Sequence, residues 1–536
     1  MYRGIELWPK EMTKDMITKQ FLGKEAIQTY PNLPKNIYES FVRTAKRLPD
    51  KEAVVDHLGK TYTYRDLQKK VEQCALWLWN RQKIHRGSHV ALLMYNSIEF
   101  CVIFLALNKI GAVVIPLPSK YRQQEIQSLI DKSNVNFIIS DEHFKDYFQK
   151  YIVLGIEVCL IPDGEKGYAL DGFVTEEERN EIGEQVTEED LALLVFTSGT
   201  TSQSKGVMLH NFQIMHAIVS YERTLGITEA DRAIIPIPIY LITGLVAIFG
   251  LLMHVGGTVY LNKFFDGRRV LEDVKKYKIT FLHASPTVFS LLLQHREEFL
   301  ELPSLRMFAC GSSNMPPGKI RLLHEWLPTC EFRTIYGLTE TTSPATVFPE
   351  DANKSSYIGS SGRPIPGLEC KIQDHMGREL LDGEQGEIWI RGSNITMSYY
   401  RMHSNAFLNG WLNTGDIGYF NKEGYLYIVD RMKDMINRGG EKICSFDVEN
   451  ELLNMDGVED AAVVGIADEL YGEVPVAVIK PRPQRELSEN MIKESLKKRM
   501  AGYKIPVHIL FVDTIPVTDN MKTDKKRIRQ LFTKEL

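Results

Sequence analysis

Short apolar runs alternate with amphipathic stretches through the first four hundred or so residues of this chain. Val90-Ala91-Leu92-Leu93-Met94, Ala112-Val113-Val114-Ile115, Asn136-Phe137-Ile138-Ile139 and Ile279-Thr280-Phe281-Leu282 are strand-length and mostly apolar, the pattern of strands covered on both faces. Between the first of these and the N-terminus, Leu67, Val71, Cys74 and Leu78 recur at helical spacing, and Thr63 with Asp66 three residues on makes a capping box for that helix. Such alternation predicts an α/β fold of mostly parallel, helix-covered sheets. Later the texture changes. Gly386-Glu387-Ile388-Trp389-Ile390-Arg391 and Gly424-Tyr425-Leu426-Tyr427-Ile428-Val429 are short and turn-bounded, which predicts a β-rich subdomain. Beyond Asp430-Arg431-Met432-Lys433-Asp434 a compact α+β piece is expected, with strands at 461–464 and 474–478. The pattern therefore divides into a large N-terminal domain, 1–432, and a small C-terminal domain, 433–536.

Residues 233–255 complicate this picture, because they contain no Lys, Arg, Asp or Glu and are long enough to cross a bilayer. Pro236, Pro238, Gly244 and Gly250 interrupt the run, so a strand, a turn and a buried helix explain it better. The N-terminus lacks the apolar core of a signal peptide. With 536 residues, 44% hydrophobic and 25% charged, the chain reads as a soluble protein of two or three domains. A net charge of -5 gives no reason to expect nucleic acid. The seven cysteines are scattered, odd in number and never in C-x-x-C spacing. That points to reduced thiols in the cytoplasm and away from a structural zinc site.

The strongest chemistry follows the apolar run Leu191-Ala192-Leu193-Leu194-Val195-Phe196, read as a buried parallel strand. It opens into Thr197-Ser198-Gly199-Thr200-Thr201-Ser202-Gln203-Ser204-Lys205-Gly206. Small residues let backbone N–H groups curve around an anion, hydroxyls add donors, and a lysine supplies the counter-charge. A Ser/Thr/Gly-rich surface turn is the plain alternative. Gly199 and Lys205 have P-loop separation, but Ser204 and Gly206 stand where that motif needs glycine and a metal-binding hydroxyl. The run resembles instead the phosphate loop of the adenylate-forming acyl- and aryl-CoA ligases, T-S-G-[ST]-T-G-x-P-K-G, with Ser202 for glycine and Ser204 for proline.

Other motifs of that family recur in order from about residue 35 onward. Tyr336-Gly337-Leu338-Thr339-Glu340 resembles Y-G-x-T-E. A hydroxyl beside a carboxylate suits a nucleotide site, Thr339 donating to the α-phosphate and Glu340 holding Mg²⁺; a cap after a strand is the alternative. Gly311-Ser312-Ser313 falls where the family cradles adenine, and Asp416 of Thr414-Gly415-Asp416 is the implied ribose acceptor. The resemblance implies that Arg431 touches ribose or phosphate, that Lys433 is a hinge, and that Lys522 is the catalytic lysine of the first half-reaction. Lys522 lies in Pro516-Val517-Thr518-Asp519-Asn520-Met521-Lys522, where Met521 replaces a glycine, and the Lys525, Lys526, Arg527 and Arg529 that follow read as a solvated helix face. Gly439 and Gly440 resemble the loop that lines the pantetheine channel.

One segment departs from the family. Where P-x-F-H-x-x-G is usual, Pro238-Ile239-Tyr240-Leu241-Ile242-Thr243-Gly244 puts Leu241 in place of histidine, beside the expected acid pocket of Tyr240, Leu241 and Gly244. The function implied is an ATP- and Mg²⁺-dependent acid–thiol ligase that forms acyl-AMP and pyrophosphate, then acyl-CoA and AMP. A medium- or long-chain fatty acid or an aryl acid is the expected substrate, and the chain is expected to be a monomer or homodimer. Three other readings stand beside it: an adenylating enzyme that loads a carrier protein, a P-loop kinase or ATPase, and a non-catalytic binding homologue.

Overall fold

The computed structural model describes residues 3–162, 182–183, 185–197, 204–313, 315–483, 485–518 and 522–535. The apolar runs of the first half assemble into two open sheets. One has six strands in the order Lys205–His210, Leu191–Thr197, Val113–Pro116, His89–Leu93, Phe137–Asp141 and Glu157–Ile161. The other has nine, running Arg363–Pro364, Thr346–Val347, Glu331–Tyr336, Met307–Cys310, Phe281–Ala284, Arg232–Ile235, Thr258–Leu261, Glu52–Val55 and Thr61–Thr63. Its central strands pair in parallel and its ends are antiparallel. The mixed α/β expectation holds, and the expected helix is Tyr64–Asn80, with both halves of the Thr63–Asp66 capping box formed.

Two local expectations need correction. Leu191–Thr197 is parallel to Val113–Pro116 on one edge, but on the other it pairs antiparallel with Lys205–His210, Thr197 opposite Lys205. A parallel return would have needed a long crossover, and too few residues separate these strands for one. The candidate phosphate loop is thus slung between two strands of a hairpin, whereas a P-loop joins a strand to a helix. The apolar stretch at 233–255 does form a strand, a turn and a buried helix, but the helix begins as a π-helix, Thr243–Gly250, before continuing as Leu251–Val255. Among the described residues no helix is long and apolar enough to cross a membrane.

Downstream, Leu368–Gln373, Gly386–Gly392, Trp411–Phe420, Phe407–Leu408 and Leu426–Arg431 form an antiparallel sheet. The main hydrophobic core contains members of this sheet as far as Leu426, and a separate core begins at Ile436. That second core sits on a five-stranded sheet in which Gly472–Pro481 is central, flanked by helices Ser445–Leu453, Glu489–Lys497 and Lys525–Glu535.

Polar contacts tie the two parts together. The Asp430 carboxylate accepts from both the backbone N–H (2.7 Å) and the hydroxyl (2.8 Å) of Ser445, at the start of a helix in the second part. Lys319 pairs with Asp460 at 2.8 Å. All seven cysteines are buried and unpaired.

Candidate active site

A cavity of about 890 Å³ lies where the two parts meet. The antiparallel sheet supplies its most polar wall. Asp416 and Arg431 are cross-strand partners on Trp411–Phe420 and Leu426–Arg431, which brings the guanidinium Nε within 3.2 Å of a carboxylate oxygen. Tyr336, at the end of a central strand of the nine-stranded sheet, donates its hydroxyl to the other oxygen at 2.6 Å. Burial raises the Asp416 carboxyl above the usual carboxylate range, opposed by Arg431 and by the tyrosine hydrogen bond. Burial and the adjacent Asp416 charge hold the Tyr336 phenol well above its ordinary value, so it stays a donor. A fixed acceptor of this kind is suited to binding vicinal hydroxyls.

The second part contributes the cation. Thr518 and Lys522 are joined by a backbone hydrogen bond, the Thr518 N–H donating to the Lys522 carbonyl at 2.6 Å. The Lys522 side chain lines the same cavity as Asp416, Arg431, Ser312, Ser313, Gly337 and Lys433. Enclosure in the wall, and then the like charge of Arg431, lower the Lys522 ammonium to about 8, while Asp416 and Glu340 pull it back up. Burial likewise lowers Lys433.

The basic run after Lys522 is the solvated face its composition suggested only in part: Lys526 and Arg527 are exposed, whereas Lys525 and Arg529 are half-buried. Lys525, Lys526, Arg527 and Arg529 line the cavity, and Lys525 donates to the Ser445 hydroxyl at 2.8 Å. Both Lys525 and Arg529 lie within 4 Å of Asp434, at 3.8 and 3.7 Å. The signal was available: positions i and i+4 share one helix face, and a cationic face needs an anion when it is covered.

Thr339 and Glu340 do not line the cavity; they follow its Leu338 in sequence, in a short 3-10 turn, Thr339–Thr341, after the Tyr336 strand. Tyr399 is the contact that motif reasoning missed. Its hydroxyl donates to Glu340 Oε1 at 2.9 Å, and its ring lies 4.8 Å from the Lys205 ammonium. Gly311 stands directly behind Ser312, where an added Cβ would come within 3.2 Å of the Ile335 carbonyl. Of the phosphate-loop candidates, Thr197 and Lys205 end the two hairpin strands; Ser198, Gly199, Thr200 and Thr201 lie outside the described residues.

The structure does not bring Gly439, Gly440, Tyr240, Leu241 or Gly244 to this cavity wall. The two glycines make a two-residue hairpin turn between Ile436–Arg438 and Glu441–Ile443, with φ of +59° and +94°, which is the turn geometry that selects glycine. Tyr240 is buried and Leu241 half-buried against the main core. Gly244 is required by packing, since a Cβ there would stand 2.8 Å from the Ile239 backbone.

Comparison with known proteins agrees with this geometry. The family model described as AMP-binding enzyme matches residues 41–400, and that of the AMP-binding enzyme C-terminal domain matches 447–522. An oxalate–CoA ligase of Arabidopsis thaliana is 30% identical over 91% of this chain and 97% of its own. A feruloyl-CoA synthase of an Amycolatopsis species is 31% identical over 92% and 98%. Among solved structures, o-succinylbenzoate CoA synthetase from Bacillus subtilis, in complex with its acyl-adenylate intermediate, has a TM-score of 0.79 at 29% identity, covering 91% of this chain and 97% of that one. It has also been solved with ATP and a magnesium ion, at a TM-score of 0.79 and 29% identity over 91% of this chain and 99% of that one. With both family models matched in order, and with an acidic acceptor and a second-domain lysine in one cavity, the chain belongs to the adenylate-forming acyl- and aryl-CoA ligase family of AMP-binding enzymes.

Proposed function

We propose an assignment of parts within the ATP-dependent acid–CoA ligation that family membership establishes, together with the class of acid. The observation that carries the assignment is the meeting of Lys522 with the Asp416–Arg431–Tyr336 cluster in one cavity. Asp416 accepts from the ribose hydroxyls, and Ser312 and Ser313 border the adenine. Arg431 holds Asp416 and reaches the ribose or α-phosphate. Thr197 and Lys205, with the Ser198, Gly199, Thr200 and Thr201 that follow Thr197 in sequence, hold the outer phosphates, and Thr339 donates to the α-phosphate.

An oxygen of the acid attacks the α-phosphorus, and the bond to pyrophosphate breaks. Lys522 stabilises the negative charge that develops there, a role suited to a cation that lines the cavity beside Asp416 and Arg431. The CoA thiol then attacks the acyl carbonyl, and the bond to AMP breaks. For this step the second domain turns about Lys433, withdrawing Lys522 and bringing in the Gly439–Gly440 turn.

Glu340 fits a magnesium site. Its second carboxylate oxygen has no partner among the described residues, and Mg²⁺ is typically held by one or two carboxylates plus substrate phosphates. When bound there with ATP, the ion would neutralise phosphate charge. The acid is a fatty acid of medium or long chain, or an aryl acid. Ile239, Leu241 and Ile242 make the segment beside the expected entry apolar, and Leu241 offers no polar group to a small carboxylate. The free, buried cysteines are consistent with work in the cytoplasm.

The test is release of AMP and pyrophosphate against a panel of fatty, aryl and dicarboxylic acids, with and without CoA. Acid-dependent pyrophosphate release and a CoA-dependent thioester are expected with the apolar acids. Pyrophosphate release without a CoA thioester would assign the acceptor to a carrier protein, and turnover of oxalate alone would overturn the assignment of the acid.

A further inference from the structure

The segment from Asn394 to Tyr400 touches both elements assigned to the phosphates and belongs to neither. On one side it holds the Thr339–Thr341 turn. The Asn394 side-chain amide donates to the carbonyls of Thr341 (2.8 Å) and Pro344 (2.6 Å), and the Thr396 N–H donates to the Glu340 carbonyl at 2.8 Å. On the other side it holds the strand that returns from the candidate phosphate loop. The Thr396 hydroxyl donates to the Met208 carbonyl at 2.7 Å, and the Tyr400 N–H donates to the Gly206 carbonyl at 2.8 Å. The approach is so close that a Cβ on Gly206 would stand 3.2 Å from that of Tyr400.

Tyr399 lies at the centre of this clamp, 6% exposed, its ring edge-on to Phe407 at 5.2 Å. We propose that Tyr399 is a positioning residue that sets the Lys205 ammonium and the Glu340 carboxylate relative to one another, through its ring face and its hydroxyl. The two groups would otherwise sit on separate, short elements, and each is a long side chain with several rotamers. A phenol fixed by packing removes that freedom for both at once. The inference rests on the assignment of Lys205 and Glu340 to ATP and magnesium.

Two variants separate the halves of the role. Tyr399→Phe keeps the ring beneath Lys205 and removes the hydroxyl from Glu340; Tyr399→Leu removes both. The measurements are ATP affinity by calorimetry in the absence of metal, the magnesium concentration needed for half-maximal acid-dependent ATP–pyrophosphate exchange, and far-UV circular dichroism to check folding. For Tyr399→Phe the magnesium requirement should rise about tenfold, the scale of one hydrogen bond to a charged group, with metal-free ATP affinity within twofold of wild type. For Tyr399→Leu metal-free affinity should also fall, by about threefold to tenfold for a lost cation–π contact.

Lys205→Met and Glu340→Gln serve as references. If these shift ATP affinity and magnesium requirement respectively while both Tyr399 variants leave them unchanged, the positioning role is overturned and the assignment survives. If the references themselves shift neither quantity, the assignment fails first. A uniform loss of exchange in folded Tyr399 variants, with the magnesium requirement and ATP affinity unmoved, would reduce Tyr399 to packing and also overturn the proposal.

Discussion

The region we assign to the nucleotide and the region we assign to the acid are built on opposite principles. In the first, polar groups from two sheets and a loop converge: Tyr336 from the nine-stranded sheet, Asp416 and Arg431 from the antiparallel sheet, and Lys522 from ahead of the C-terminal helix. Tyr336, Asp416 and Arg431 are held by one another, at 2.6 and 3.2 Å. In the second, the chain from Ile239 through the π-helix Thr243–Gly250 is mostly apolar, and Gly244 leaves no room for a Cβ against the Ile239 backbone. The contrast teaches where each kind of specificity resides. Recognition of phosphate and ribose needs particular donors and acceptors, so it leaves motifs. Recognition of an apolar acid needs only volume and shape, which many sequences supply.

The contrast can be broken most forcefully at Lys522. Lys522→Ala should lower acyl-adenylate formation about a hundredfold or more, as loss of a transition-state charge stabiliser typically does, while thioester formation from pre-made acyl-AMP survives. Equal loss of both half-reactions in a folded variant would show that Lys522 does not serve one orientation alone.

The same residue gives a pH test. An ammonium lowered to about 8 is cationic below that pH and neutral above it. The first half-reaction should therefore hold steady toward neutrality and fall as pH rises through about 8, approaching tenfold per unit beyond it. Lys522→Arg keeps its charge and should flatten that decline, whatever its overall rate. A wild-type profile level to pH 10, on the order of two units above the lysine, would separate the charge from the chemistry.

On the acid side the expected effects are smaller and of another kind. Gly244→Ala forces a Cβ against the Ile239 backbone, and overpacking of this sort costs about 1–3 kcal/mol. The unfolding midpoint should drop while the KM for ATP stays as it was; an unchanged midpoint would mean the π-helix yields freely. Leu241→His places an imidazole at a half-buried position packed against the apolar core. An unsatisfied buried polar group costs about 1–3 kcal/mol, so the KM for the preferred acid should rise, by about tenfold at most. A gain in kcat/KM across short, long and aromatic acids would instead show that the histidine's task had passed to a neighbour.

What could be read before the fold was known follows the same line. The strands and the capped helix at Thr63 were legible because alternating patterns constrain residue type locally, and the joint nucleotide role of Asp416, Arg431 and Lys522 was legible only through the family motifs that they match. Three features were not. The antiparallel partner of Leu191–Thr197 depends on what lies across the hairpin, which an apolar run does not state. The π-helix within 233–255 depends on packing, since any helix register buries so uniform a run. Tyr399 is one tyrosine among the chain's 23, and its meaning arises only where Lys205 and Glu340 approach it from distant segments. The basic face of Lys525 and Arg529 is a different case: its spacing was visible, but the covering anion, Asp434, was not assigned to it.

An enzyme that takes a free thiol as one of its substrates runs a hazard of its own. Any exposed, ionisable cysteine could exchange with a CoA disulfide and be trapped as a mixed disulfide, since exchange requires a thiolate that can be reached. Every one of the seven cysteines is buried, and burial raises every one of their thiols above the ordinary range. Oxidative drift in the CoA pool should therefore change the supply of substrate and leave the catalyst untouched. The chain handles a reactive thiol without presenting one.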